Sequence, residues 1–572
     1  MLQRAAEWMQ HSLHITEWAP DYDTDHLGAD AVAGLTVGVM LIPQAMAYAV
    51  IAGMPPIYGL YASLVPPLIY PFFGTSRQLA MGPTALDMLI LAAGLSAFAN
   101  VGSASYLTLA LIVTAMVGAM QIAMGAMQLG FVANLLSRPV ITGLTSAAAL
   151  IIGFSQLGNL LGIELGGSQY VHVILWQAAH QLSNVHMLSL GIGATGIVFL
   201  VLIPKWNRMI PEALIVVALA TAASYVFAFE SQGVEVVGTI PKGLPAPSLP
   251  DLGLGDLRTL LPAALTLALV QFMKNVSLGR VFATRHRYTI DANRELVGMG
   301  ASNLVGAFFS AIPASGSFSR SAVNDQAGAK TPLANWFTAG VIALTLLFLT
   351  PLFYYLPMPI LAAIIMVAGF GLIDVDEVVE LFRARRRDGA IALFTAVCVL
   401  FIGIQEGILL GIGASVVAVL YRISRPNVAE LGHVPGTRLY RDRERFEQAV
   451  RIKNIMVLRV DAAFSFANAE YFKDFILEKS EKEGRTVDVV VVDGTSINDL
   501  DTTAIEALES TVETLEEQGI ELHFTGLIGP VREVVRRSGL YYLLGEEKFH
   551  TQHLAAWPKY NCETGDYDAT AE

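Results

Sequence analysis

The chain has 572 residues, of which 54% are hydrophobic and only 15% charged, with a mean hydropathy of +0.54. That composition belongs to a polytopic membrane protein rather than a soluble enzyme. The net charge of −13 leaves no cationic face of the size a nucleic acid needs, so a nucleic-acid partner is excluded.

Residues 1–30 begin with MLQRAAEWMQHSLHITEW, which is amphipathic and mixed in charge. No basic region followed by an apolar one is present, so this segment is expected to stay in the cytoplasm. From Ala31 to about Tyr421, apolar runs recur at lengths that cross, or nearly cross, ~30 Å of hydrocarbon. Between Ala31 and Phe229 there are seven formal charges: Arg77, Asp87, Arg138, Glu164, Lys205, Arg208 and Glu212. Spans are predicted near 31–53, 58–73, 84–99, 106–125, 139–157, 186–203 and 210–228. After the polar loop GTIPKGLPAPSLPDLGLGD at 238–256, a second set follows near 259–279, 293–311, 318–328, 333–350, 357–373, 389–404 and 406–421.

The third member of each set is too short and is interrupted at its start. One follows RQLAMGPTALDMLI (77–90) and the other lies within ASGSFSRSAVND (314–325). Interrupted segments at corresponding places point to an inverted-repeat transporter with its site at mid-membrane. Seven spans per half force the halves into opposite orientations. Lys205/Arg208, Arg280/Arg285/Arg287, Arg383/Arg385/Arg386/Arg387 and Arg422/Arg425 then fall on one side, with both termini cytoplasmic.

After Pro426 the pattern changes. NIMVLRVDAAFSF, TVDVVVVDGTS and IELHFTGL read as strands. Amphipathic helices are predicted at about 467–483 and 501–518, and a further one opens at GPVREVVRRSG. A small α/β domain is expected over 427–550, with a polar tail at 551–572. Cys398 and Cys562 are far apart and suggest neither a disulfide framework nor a metal site.

A broken helix leaves unpaired N–H groups and a positive dipole end inside the protein, a natural place for an anion. In MGPTALD, Gly82 allows close backbone approach, Pro83 suits a first helical turn, and Thr84 offers a hydroxyl. In SGSFSRS, Gly316 allows a tight start, Ser317 and Ser319 can cap, and Arg320 adds a full charge. Two capped turns are the plainer alternative. No nucleophile elbow, Walker loop or cluster of His, Cys and Asp is present, so no enzyme, cofactor or metal is expected.

IPQAMAYAVIAGMPPIYGLYAS (42–63), GPTA (82–85), YTIDANRELVGMGASNLVGAFFSAIPASGSFSRSAVN (288–324) and the terminal α/β domain resemble the SulP (sulfate permease) family. The resemblance implies a polytopic α-helical membrane protein of 14 spans, built as two inverted seven-span repeats with core and gate subdomains. It also implies a cytoplasmic α/β STAS domain and a homodimer. The repeats would be about 31–228 and 259–421 within a transport domain of 31–425. In the family the anion sits between the third and tenth helices. The matching positions are Thr84, Ala85, Ser317, Phe318, Ser319 and Arg320, with Gln44 and Tyr48 from the first helix. Tyr48 also suits core packing, and the Gln44 amide also suits backbone groups freed by Pro43.

Lys274, in QFMKNVSLGR, stands where many relatives carry an acidic residue, which puts cation symport in doubt. Asp87, one turn into the third helix, is expected to pair with Lys274; otherwise Lys274 would snorkel toward Arg280. In the STAS-like region, Thr502 or Thr503 matches a phosphorylatable position, while Asp501 suits a helix cap.

The expectation is a secondary transporter of a small inorganic anion in the bacterial inner membrane, working by elevator-type alternating access as an exchanger or uniporter. Sulfate is the family default; bicarbonate and chloride stay open. The alternatives are a regulatory membrane protein centred on a STAS domain with a cytosolic partner, or a proton- or sodium-coupled bicarbonate symporter.

Overall fold

The computed structural model describes residues 13–550 except 97, 100–101, 135–136, 166–169, 207–211, 249–253, 436, 438 and 482–486, together with 560–561 and 566–567. Arg208, Cys562, the first twelve residues and most of the 551–572 tail therefore lie outside the described residues. Two compact units divide the chain, Met1–Ser415 and Val416–Glu572.

The first repeat opens with α1 (Thr24–Ile51), α2 (Pro56–Ala62) and α3 (Val65–Phe73). A two-residue strand, β1 (Met81–Gly82), then leads into the half-helix α4 (Ala85–Leu95). The set is completed by α5 (Ala104–Ala126), α6 (Arg138–Ser155), α7 (Leu157–Leu161), α8 (Val171–His180), α9 (Met187–Trp206) and α10 (Glu212–Phe227). The second repeat has α11 (Leu254–His286), α12 (Ala292–Phe308), β2 (Ser315–Gly316) and the half-helix α13 (Phe318–Gln326). It continues with α14 (Ala334–Leu344), α15 (Met358–Phe370), α16 (Val375–Ala384), α17 (Arg386–Phe401) and α18 (Ile404–Ser424).

Among the described residues each predicted span is helical in the main, and eight helices are long and apolar enough to cross a membrane. Two details differ from the sequence reading. The span predicted at 58–73 breaks at Ser63–Leu64, because Pro66 and Pro67 lack the N–H groups that would continue α2. The helices α8 and α16 are additional. α16 is amphipathic and capped by Asp374, whose carboxylate accepts from Glu377 N at 2.8 Å.

The helices pack as two bundles. One contains α1–α5 with α11–α14, the other α6–α10 with α15–α17. Small residues set the closest approach. A Cβ on Gly118 of α5 would lie 2.4 Å from Leu304 N of α12, and one on Gly300 would lie 2.7 Å from the Gly118 carbonyl oxygen. Large apolar side chains such as Leu219, Phe348 and Trp206 remain on the outside, as lipid contact requires.

The second unit holds a six-stranded sheet of order β4-β3-β5-β6-β7-β8. Its strands are β3 (Val428–His433), β4 (Tyr440–Asp442), β5 (Ile455–Val460), β6 (Val489–Asp493), β7 (Glu521–Thr525) and β8 (Phe549–His550). The last four run parallel, and β3 is antiparallel to both its neighbours. Helices α19 (Ala469–Glu481), α20 (Thr502–Glu517), α21 (Gly529–Ser538) and α22 (Leu540–Leu544) complete it. Along β6 the side chains alternate: Val490 and Val492 join the helix-covered core, while Val489 and Val491 pack with Leu431 and Ile452. The sequence reading does not include β3, β4 and β8, because β4 and β8 have only three and two residues and β3 carries Glu430, Gly432 and His433 within its run.

Candidate functional site

The site is built where the two repeats meet. β1 pairs antiparallel with β2, Met81 opposite Gly316 and Gly82 opposite Ser315. Each strand feeds a half-helix, of 11 residues for α4 and 9 for α13. The backbone groups released by these breaks are taken up by buried side chains, as a membrane interior requires. Asn335 Oδ1 accepts from Met81 N at 3.0 Å, and its Nδ2 donates to Leu79 O at 2.9 Å. Asn275 Oδ1 accepts from Gly316 N at 2.8 Å, and Ser321 Oγ accepts from Ala80 N at 2.9 Å. At 316 an added Cβ would stand 2.6 Å from Leu79 Cδ1 and 3.0 Å from Asn275 Oδ1, so a larger residue would press on the amide that accepts from Gly316 N.

Thr84 caps α4, its Oγ1 accepting from Asp87 N at 3.5 Å. Ala85 is the first helical residue and is buried. At α13 the expected side-chain cap is not made. Ser317 is the N-cap by backbone only, and its Oγ lies 3.2 Å from Ser319 Oγ instead. The two hydroxyls satisfy one another, which leaves the first-turn N–H groups of α13 without a side-chain acceptor. Ser317 is half-buried, Ser319 is exposed, and Phe318 is 63% exposed with its ring 6.5 Å from that of Phe282. The first turn of α13 thus borders open space.

Arg320, the third residue of α13, is by contrast fully buried. Among the described residues, none of its three guanidinium nitrogens has a hydrogen-bond partner. The charge sits against the half-helix junction: a Cβ on Gly82 would lie 3.2 Å from Arg320 Nη2. Tyr48 and Gln44, both buried on α1, complete the set, and Gln44 Oε1 also lacks a partner. No bond from Gln44 to the backbone near Pro43 occurs among the described contacts.

Asp87 and Lys274 form an ion pair, Nζ to Oδ1 at 2.9 Å, with the Asp87 side chain fully buried and that of Lys274 24% exposed. Lys274 Nζ also donates to Thr84 Oγ1 at 2.9 Å. Lys274 therefore reaches back to the half-helix start rather than along α11 toward Arg280. The second carboxylate oxygen of Asp87 accepts from Gln271 Nε2 at 3.1 Å and from Ser315 Oγ. Behind it lies an amide cluster. Gln271 Oε1 accepts from Gln121 Nε2 and Asn303 Nδ2, each at 3.1 Å, and Asn303 Oδ1 accepts from Ala314 N at 2.8 Å.

Sequence reasoning missed Gln121, Gln271, Asn275, Asn303, Ser315 and Asn335. The available signal was an amide inside an otherwise apolar run, as in MVGAMQIAMG and LALVQFMKN. It missed a second buried acid as well. Glu295 accepts from Tyr70 OH at 2.9 Å, Thr75 N and Thr75 Oγ1 at 2.6 Å each, and Ser76 N at 2.9 Å. Four donors hold it without a cation, and they fix the segment that leads into β1.

In the second unit, Asp501 caps α20, accepting from Ala504 N at 2.8 Å and from Phe466 N at 2.8 Å. Thr502 and Thr503 are exposed on the first turn of that helix.

Residues 27–395 match the Sulfate permease family and 448–553 match the STAS domain. The chain is 35% identical over 562 residues to "Sulfate transporter 4.1, chloroplastic" of Arabidopsis thaliana, covering 96% of this chain and 82% of that protein. It is 34% identical over 536 residues to a probable sulfate transporter of Mycobacterium tuberculosis, covering 93% and 96% respectively. Its fold superposes with a TM-score of 0.87 and 25% identity on the murine Solute Carrier 26 family member A9 anion transporter in the inward-facing state, over 96% of this chain and 94% of that one. The transmembrane domain of the cyanobacterial bicarbonate transporter BicA shares the fold at a TM-score of 0.60 and 24% identity, over 69% and 98%.

Proposed function

The chain belongs to the sulfate permease family of multi-pass membrane anion transporters, and on that premise we propose that it carries sulfate by alternating access. The observation that carries the proposal is Arg320, a buried guanidinium with three unpartnered nitrogens beside two converging half-helices. A buried cation without a partner costs several kcal/mol, roughly, and a small anion offsets that cost. The N–H groups at the start of α13 supply further donors, aided by the dipoles of both half-helices. Gln44, Tyr48, Thr84, Ala85, Ser317, Phe318 and Ser319 would line the site, and the hydroxyl, amide and aromatic groups among them suit an oxyanion.

Lys274 takes the electrostatic place of a mobile cation. Its ammonium already neutralises Asp87, so Na⁺ or H⁺ gains little by entering. Transport is therefore by exchange or uniport. The bundle of α1–α5 with α11–α14 carries both half-helices, and its movement past the other bundle is the elevator step. The exposed first turn of α13 and the likeness to an inward-facing relative support an inward-facing resting state. The protein would act as a homodimer in an inner membrane, with both termini cytoplasmic.

Uptake of radiolabelled sulfate by the purified protein in liposomes tests this. Saturable uptake that is unchanged by Na⁺ or a pH gradient is expected, with bicarbonate and chloride as weaker competitors. No sulfate uptake, or uptake driven steeply by either gradient, would overturn the reading.

A further inference from the structure

The end of α18 and the loop 461–468 enclose a cleft of about 410 Å³, lined among others by Arg422, Arg425, Asn427, Asp461, Ser465 and Asn468. We propose that this cleft binds a phosphate group presented by an anionic phospholipid headgroup. The proposal is independent of the sulfate reading above.

The polar groups around the cleft divide into spent and unspent. Asp461 is neutralised by Arg459, Nε to Oδ1 at 2.7 Å and Nη2 to Oδ2 at 3.2 Å, and it also accepts from Asn427 Nδ2 at 2.8 Å. Asn468 is committed as well. Its Nδ2 donates to Ala463 O at 2.8 Å and Ile423 O at 3.2 Å, and its Oδ1 accepts from Ser465 N at 3.0 Å. These bonds make the floor rigid. What remains is Arg422 and Arg425. Both side chains are exposed, and among the described residues neither makes an ion pair or a side-chain hydrogen bond. Arg425 is held instead over the Tyr421 ring, 5.6 Å from its centroid. The two spare cations stand out against their surroundings, because residues 416–572 carry 18 Lys and Arg against 27 Asp and Glu.

Geometry selects the ligand. Arg422 lies in the last turn of α18 and Arg425 just past its end, and both line the same cleft. Glu406–Ser424 is long and apolar enough to cross a membrane, which brings its last turn to the level of the lipid phosphates. The planar guanidinium fork matches phosphate oxygens in pairs, and two forks suit one phosphodiester with its neighbouring hydroxyls. The preference for basic residues at a helix C-terminus and on the cytoplasmic flank accounts for two arginines here, and the built floor beneath them is what turns the pair into a site.

The test uses the full chain purified in detergent, with short-chain phosphatidylglycerol and phosphatidylcholine as probes and native mass spectrometry as readout. Wild type should retain phosphatidylglycerol over phosphatidylcholine by roughly 30-fold, about fivefold for each arginine. R422Q/R425Q should bring that ratio close to one, while R383Q/R386Q, which removes two basic residues elsewhere, should leave it unchanged. An unchanged ratio in R422Q/R425Q, or an equal loss in R383Q/R386Q, would overturn the site. Thermal stabilisation by inorganic phosphate equal to that by the lipid, and lost in R422Q/R425Q, would overturn the lipid source and assign a soluble phosphate compound instead.

Discussion

Lys274 Nζ lies 2.9 Å from both Asp87 Oδ1 and Thr84 Oγ1, so one ammonium from α11 ties the cap and the first turn of the half-helix α4 together. The opposite carboxylate oxygen is held by Gln271 and Ser315, which brings β2 into the same cluster. Charge balance at the site thus depends on residues from both repeats.

Asp87→Asn leaves the Lys274 ammonium without its counter-charge. The cost should be about 3–5 kcal/mol, read as a lower unfolding temperature of the purified protein. Asp87→Asn combined with Lys274→Gln replaces the ion pair by two neutral amides and should recover most of that loss. If the double variant is no more stable than the single one, the pair is not the dominant interaction.

Lys274→Asp places two carboxylates where one ion pair stood. Like charges at that distance favour capture of a cation or a proton. Sulfate uptake by this variant in liposomes should become dependent on Na⁺ or on an inward proton gradient. Uptake that stays indifferent to both would remove Lys274 from the coupling account.

Arg320→Ala should weaken sulfate binding by about 1.5–3 kcal/mol, roughly 10- to 150-fold, the range for hydrogen bonds to a charged group. Thermal shift separates this effect from misfolding. Without sulfate the variant should melt no lower than wild type, since an unpaired buried charge has been removed, while added sulfate should no longer raise its melting temperature. A preserved sulfate-induced shift would move the site elsewhere.

Gly118→Val forces a side chain into the contact between α5 and α12, where even a Cβ would lie 2.4 Å from Leu304 N. A loss of about 1–3 kcal/mol or more is expected, since backbone rather than a flexible side chain must yield. Gly191→Ala on α9 serves as the control, because nothing lies within 4 Å of its added Cβ. Equal effects of the two would argue against close packing of α5 on α12.

Asp501→Ala removes the cap of α20 and its bond to Phe466 N. The second unit should lose about 1 kcal/mol in denaturant unfolding, whereas Thr503→Ala, on an exposed first-turn position, should stay within about 0.5 kcal/mol of wild type.

The sequence by itself determined what depends on local pattern. Hydropathy and run length identified the apolar helices, the two interrupted third members and three of the four parallel strands of the second unit. Chemistry at the breaks singled out Thr84 and Arg320, while the family resemblance and charge within apolar runs singled out Lys274 and its partner Asp87. Tertiary structure alone decided which of these meet, and through what. Gln271 and Asp87 are 184 residues apart, Ser315 and Asp87 are 228 apart, and Thr75 and Glu295 are 220 apart. No periodicity carries such distances. They close because β1 and β2, each leading into a half-helix, pair antiparallel across 233 residues of chain or more. Buried away from water, each polar group there must find its partner on whatever chain segment that pairing brings within reach.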